Sequence, residues 1–111
     1  MQGLSEALLL ADQTGLDRKQ VLDMLQQSVV SSPLMQFKAP LFENDEYPSA
    51  FALQHMAKDL SLISHLAESS EAVLPLANTS ARTFSEALDD GKGTLDMAGI
   101  IEQLKDMSQK S

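Results

Sequence analysis

The residues whose types and spacing most plainly suggest chemistry are Phe51, His55, Lys58 and Asp59, within Phe51-Ala52-Leu53-Gln54-His55-Met56-Ala57-Lys58-Asp59-Leu60. At about 100° per residue, a helix through this stretch gathers Phe51, His55, Lys58 and Leu62 into an arc of roughly 60°. Asp59 flanks that arc, and the apolar stripe through Leu53, Leu60 and Ala67 lies on the other side. The chemistry on offer is binding: apolar walls around a few placed polar groups are what clefts are lined with. The competing reading is that Phe51 precedes the helix and packs downward while His55 and Lys58 are solvated. Residue types alone favour the solvated face, since charged side chains on helices are mostly exposed.

Other chemistries find no support. His55 and His65 are ten residues apart on one helix, with no cluster to complete a metal site, so no metal ligand is assigned. Ser, His and Asp occur without a Gly-x-Ser-x-Gly elbow. Gly91-Lys92-Gly93 lacks the spacing of a phosphate loop, and no dinucleotide fingerprint is present in the 111 residues. The chain shows no complete catalytic apparatus, and no catalytic residue is assigned.

The elements that must position these residues are all helical. No segment alternates with period two over a useful length, which predicts an all-α domain of five main helices and one short one. The first runs from about Gln2 to Gln13 and ends at Thr14-Gly15, with Gly15 suited to the left-handed position after a helix. Leu8-Leu9-Leu10 predicts burial on several sides. Asp17 caps the second helix, with Gln20 completing a capping box and Leu16 placed to staple onto Val21. Its stripe is Val21, Leu22, Leu25 and Val29. Pro33 opens a short third helix that Pro40 should interrupt, and residues 43–49 form a loop.

The long helix follows, from about Ala52 to Ser69, with Leu53, Met56, Leu60, Ile63 and Ala67 facing the core. Pro75 starts the next, through Ala77, Ala81, Phe84 and Leu88. Asp96 caps the last, whose stripe is Met97, Ile100, Ile101, Leu104 and Met107, with Ser108–Ser111 fraying. The six methionines fall mostly on stripes and are expected as core filler.

With 43% hydrophobic and 22% charged residues, the balance is that of one globular domain, residues 1–111. A net charge of -8 repels phosphate backbones, so nucleic acid is not an expected partner. No apolar run reaches the roughly 18 residues of a membrane span. Lack of a signal peptide and of cysteine points to a cytoplasmic or organelle-matrix protein, not a secreted one.

Phe51-x-Leu53-x-His55-x-x-Lys58-Asp59-Leu60 resembles the central signature of the C-terminal domain of β-hydroxyacid dehydrogenases. That family includes 3-hydroxyisobutyrate dehydrogenase, tartronate semialdehyde reductase and the glyoxylate/succinic semialdehyde reductases. The flanks agree. Ser5-Glu6-Ala7-Leu8-x-Leu10-Ala11 before Gly15-Leu16-Asp17 resembles the end of the interdomain helix. Tyr47-Pro48-x-x-Phe51 resembles the approach to the Lys-Asp motif, most closely in the glyoxylate/succinic semialdehyde reductase branch. Gly93-x-x-Asp96-Met97-Ala98-Gly99-Ile100-Ile101 resembles the closing helix.

The resemblance implies a 6-phosphogluconate-dehydrogenase C-terminal-like fold that closes the cleft over an N-terminal Rossmann domain binding NADP or NAD, and that builds the dimer. It implies that Lys58 binds near the nicotinamide end of the cofactor and that Phe51 and Asp59 serve the substrate pocket. The family's Gly-rich loop, and the Gly-x-x-x-Lys-x-x-x-Asn segment with its acid/base lysine, are not in this sequence. Residues 1–14 are therefore expected to be the end of a truncated interdomain helix. The chain alone is expected to bind no cofactor and to be inactive, and it should self-associate through the apolar surface left uncovered. A stand-alone acidic helical interaction module is the competing reading.

Overall fold

The structure, a computed structural model, describes residues 1–109. It is all-α: α1 Gln2–Gln13, α2 Arg18–Gln26, α3 Pro33–Asn44, α4 Leu53–Ser70, α5 Pro75–Asp89 and α6 Ile100–Gln109, with a 3-10 turn, Met97–Gly99, leading into α6. The only strand-like pairing among the described residues is one antiparallel bridge, Ala52 to Asp96.

Local signals place most of the ends. Gly15 takes φ +82° after α1, which costs glycine nothing. The Asp17 carboxylate caps α2 by accepting from Lys19 N at 3.1 Å, and Ser32 Oγ caps α3 by accepting from Met35 N at 3.1 Å. Pro33 and Pro75 stand at the starts of α3 and α5, where no N–H is needed. Asp96 Oδ2 caps the 3-10 turn by accepting from Ala98 N at 2.9 Å.

The core is two clusters, joined through the segment around residues 97–101 and also through Met1, which packs against both. Leu8, Leu22, Ala39, Phe42, Tyr47, Ala98 and Ile101 form the first, between α1, α2, α3 and α6. Leu53, Ala57, Phe84, Ala87, Met97 and Ile100 form the second, between α4, α5 and the 3-10 turn. Met97 and Ile100 face one cluster; Ala98 and Ile101 face the other. The i, i+3 pairs of this short segment split the two faces, so it is the seam of the domain. Fully burying each large aliphatic or aromatic side chain here contributes on the order of 1.5–3 kcal/mol.

Several expectations give way. Pro40 does not interrupt α3, which is 12 residues long and ends at Asn44. Pro40 is exposed and loses one backbone bond, while burial of Lys38, Ala39 and Phe42 on the other face holds the helix. Leu10 is exposed, because α1 buries a single face through Gln2, Ser5, Leu8 and Ala11. Val29 lies beyond α2 and is fully exposed; Leu16 is exposed too and staples little. Met97 is core, but Met24 and Met107 are exposed. On α4, Ile63 is exposed although it lies on the expected stripe, and Leu66 is exposed as well. Ser108 and Gln109 continue α6, and the last two residues of the expected fraying tail lie outside the described residues.

Candidate functional site

Helix α4 begins without a side-chain cap, because its N-cap is Ala52. Its first N–H groups still need acceptors. Leu53 N donates to Leu95 O at 2.7 Å and Gln54 N to Gly93 O at 3.0 Å. His55 N and Met56 N both donate to Ala52 O. The stretch 93–97 thus acts as the cap. Met97 N returns a bond to Phe51 O at 2.8 Å, and Asp96 N donates to Tyr47 O at 3.0 Å. Gly93 allows this close approach: a Cβ there would stand 2.7 Å from Leu88 Cδ1 and 3.3 Å from Gln54 Cβ, so both side chains would have to shift to admit one.

Asp96 is the hub of the junction. Its Oδ1 accepts from Lys38 Nζ at 2.8 Å, Ala50 N at 3.0 Å and Phe51 N at 3.0 Å. Both Lys38 and Asp96 are buried. Burial alone would push the Asp96 carboxyl up, but the hydrogen bonds from Lys38, Ala98, Phe51 and Ala50 hold it below the usual carboxylate range. The backbone of Phe51 is therefore fixed from both sides, by a carboxylate on its N–H and by an amide on its C=O.

A second polar cluster braces the loop that leads to Phe51. Arg18 pairs with Asp12 and donates to Phe42 O at 3.0 Å and to the Tyr47 hydroxyl at 3.4 Å. Tyr47 donates to Asp45 Oδ1 at 3.1 Å and packs edge-on against Phe42, with centroids 5.9 Å apart. Burial raises the Tyr47 hydroxyl well above its ordinary value, so it stays protonated and keeps donating.

Beyond this frame lies the face picked out by residue type. Phe51 is 38% exposed and its ring meets His55, centroids 5.9 Å apart and tilted by 53°. It neither packs downward into the core nor stands fully free. Lys58 follows on the next turn, exposed, and lines a groove of about 600 Å³ between α4 and α5. Leu62, Ser61, His65 and Glu68 continue that wall; Ala81, Arg82, Ser85 and Leu88 form the α5 side. Asp59 is exposed and does not line the groove, since successive helical residues point about 100° apart. No described residue forms an ion pair or side-chain hydrogen bond with Lys58 or Asp59. His55 and His65 are both exposed, and among the described residues no three His, Cys, Asp or Glu side chains converge on a metal site. No helix among them is long and apolar enough to cross a membrane.

Three residues escape a reading of residue types. Lys38 stands 58 positions from Asp96, and nothing local marks it as a partner. Asp96 shows itself as a cap, but not as the acceptor for Phe51. Arg82 reaches the groove from α5, and only the pairing of the two helices puts it beside Lys58.

Residues 1–104 match the family described as NAD-binding of NADP-dependent 3-hydroxyisobutyrate dehydrogenase. The chain is 34% identical over 105 residues to glyoxylate/succinic semialdehyde reductase 1 of Arabidopsis thaliana, covering 95% of this chain and 36% of that protein. It is 36% identical over 100 residues to the cytokine-like nuclear factor N-PAC of Aedes aegypti, covering 90% of this chain and 18% of that one. In structure it is similar to a 3-hydroxyisobutyrate dehydrogenase from Salmonella typhimurium, with a TM-score of 0.86 at 25% identity over 91% of this chain and 35% of that one. The chain spans little more than a third of the length of these proteins at most.

Proposed function

Because the chain belongs to the family of NAD-binding domains of NADP-dependent 3-hydroxyisobutyrate dehydrogenase, we propose that it supplies one wall of the active-site cleft in an NAD(P)-dependent hydroxyacid dehydrogenase or semialdehyde reductase. The match across residues 1–104 carries this reading. In it, Lys58 meets the nicotinamide end of NADP or NAD, and Phe51 and Asp59 meet the substrate. The residues fit that task. Lys58 and Asp59 are exposed and without side-chain partners among the described residues, and Phe51 presents a partly exposed ring.

When bound, the dinucleotide supplies or accepts the hydride. The residues of this chain bind and enclose. The Lys58 ammonium donates charge-assisted hydrogen bonds to a phosphate, ribose or carboxylate oxygen. The Phe51 ring keeps water from one side of the reacting carbon. Asp59, pointing away from the groove, addresses the other edge of the same face. No group of these 111 residues serves as catalytic acid or base, so the chain alone turns over nothing. The acidic interaction module is not favoured by any of these observations.

The test is reconstitution. Mixed with the dinucleotide-binding half of a glyoxylate/succinic semialdehyde reductase, the chain should support NADPH-dependent reduction of succinic semialdehyde. Lys58→Ala should reduce the rate about tenfold, the loss of one charge-assisted contact. Turnover by the chain alone, beyond a Lys58→Ala control, would overturn the reading.

Self-association is part of the proposal. Leu62, Ile63, Leu66, Val73 and Leu76 are all exposed toward the α4–α5 turn, an apolar surface suited to a second copy. Light scattering at high micromolar concentration should show a dimer or larger species; a monodisperse monomer would overturn it.

A further inference from the structure

We propose that the α4–α5 groove is an anion-binding site in which Arg82 and His65 act with Lys58. The inference rests on the reading above in treating Lys58 as a ligand-facing group, and extends it to residues on a second helix.

The pairing of α4 and α5 fixes which residues stand level. Ser64 Oγ donates to Asn78 Oδ1 at 3.0 Å. At the other end, the space beside Gly93 is closed by Leu88 and Gln54 together. Both contacts place residue i of α4 beside residue 142 − i of α5, by arithmetic on 64 with 78 and 54 with 88. Arg82 therefore stands level with Leu60, within about 3 Å along the axis of Lys58, at 1.5 Å per residue. His65 lies about 10 Å further along α4 than Lys58, on the same groove.

Charge supports the assignment. The chain carries a net charge of -8, and four of its cations are committed: Arg18 to Asp12, Lys38 to Asp96, Lys92 to Asp106, and Lys105 to Glu102 and Asp45. Lys58 and Arg82 form no ion pair with a described residue, yet they share one groove. Cations lining one groove repel each other, and an anion held between them relieves that repulsion. Ser61 and Ser85 add hydroxyl donors, while Ala57 and Leu88 give an apolar floor. The carboxylates nearby are Glu68, one turn beyond His65 in the groove, and Glu6 and Glu86, which line a second depression that Arg82 also borders on the other side of α5. The ligand class is a small organic molecule ending in a phosphate or carboxylate.

The test is a nuclear magnetic resonance titration of the chain at constant ionic strength, with inorganic pyrophosphate in one arm, succinate in a second and chloride as control. Saturable shifts at Ser61, His65, Arg82 and Ser85 are expected with at least one of the first two, and the stronger arm names the anionic group. Arg82→Gln should weaken that binding about tenfold, and His65→Gln less. Shifts that do not saturate, that chloride reproduces, or that Arg82→Gln leaves unchanged would overturn the site. Reconstituted turnover lost in Lys58→Ala but unchanged in Arg82→Gln would sink the groove and spare the cleft reading. Anion binding without reconstituted turnover would do the reverse.

Discussion

The two ends of α4 differ in how they treat charge and apolar surface. At its start, a lysine and an aspartate are buried, and the carboxylate is bonded by one ammonium and three backbone amides. Along its exposed length, Lys58 and Asp59 stand in solvent without partners, and Leu62, Ile63 and Leu66 are uncovered. The satisfied end holds the backbone of Phe51 and the first turn of α4 still. Beyond it, α4 buries only Ala57 and Ala67 and leaves polar and apolar side chains without partners, which is the surface the proposed binding would use. The fixed frame and the unpaired side chains are thus divided between neighbouring stretches of one helix.

The sharpest way to break that division is Asp96→Ala. It leaves the Lys38 ammonium buried without a counter-charge, and chemical denaturation should show a loss of about 3–5 kcal/mol. A loss under about 1 kcal/mol would mean that the junction is not the anchor described. Acid should weaken the same point. The Asp96 carboxyl is held below its ordinary value in the fold, so its stabilisation is complete above about pH 4 and is lost as pH falls through the folded value. Melting temperature measured from pH 6 downward should drop more steeply in the parent chain than in Asp96→Asn.

Lys38→Met should cost less, about 1–3 kcal/mol, because Asp96 keeps its three amide donors and the site gains a chain of similar shape. If it costs as much as Asp96→Ala, the ion pair and not the amide cradle holds Phe51. The smallest effect belongs to the other end: Leu66→Lys should change stability by no more than about 0.5 kcal/mol, yet shift the scattering mass toward monomer. A large destabilisation by Leu66→Lys would erase the contrast between the two regions.

Legibility followed the range of the interactions. Asp17, Gly15, Pro75 and the Asp96 cap act within a turn, so residue type at a fixed offset was enough to find them. Of the expected α4 stripe, Leu53 and Ala67 are buried and Met56 and Leu60 half-buried, while Ile63 is exposed. Of residues 61–76 only Ala67 is buried, although the helical spacing continues, because periodicity shows that a face exists and not whether anything packs against it. Pro40 misled for a related reason: its local cost was visible, and the burial of Lys38 and Phe42 that offsets it was not. On the site face, the Phe51, His55 and Lys58 arc was visible from spacing. Arg82 was not, since it depends on which residues of α5 stand level with α4. Lys38 was hidden most deeply, being an apparent surface lysine whose partner lies 58 residues on.

The anchoring of α4 at its root also makes the α4–α5 hairpin a lever. Its base is held by Leu53, Ala57, Phe84 and Ala87 against Met97 and Ile100. The 18 residues of α4 then run about 27 Å, at 1.5 Å per residue, toward a turn with little buried surface. A tilt of roughly 10° at the root would carry the tip by about 5 Å over that length. The groove rides on the lever as a unit, because both of its walls belong to the same hairpin. Its opening and its aim are therefore separate quantities: side chains of α4 and α5 set the first, and the packing at the root, the hydrogen bonds between residues 51–54 and 93–97 and the Gln2–Thr83 bond to α1 set the second.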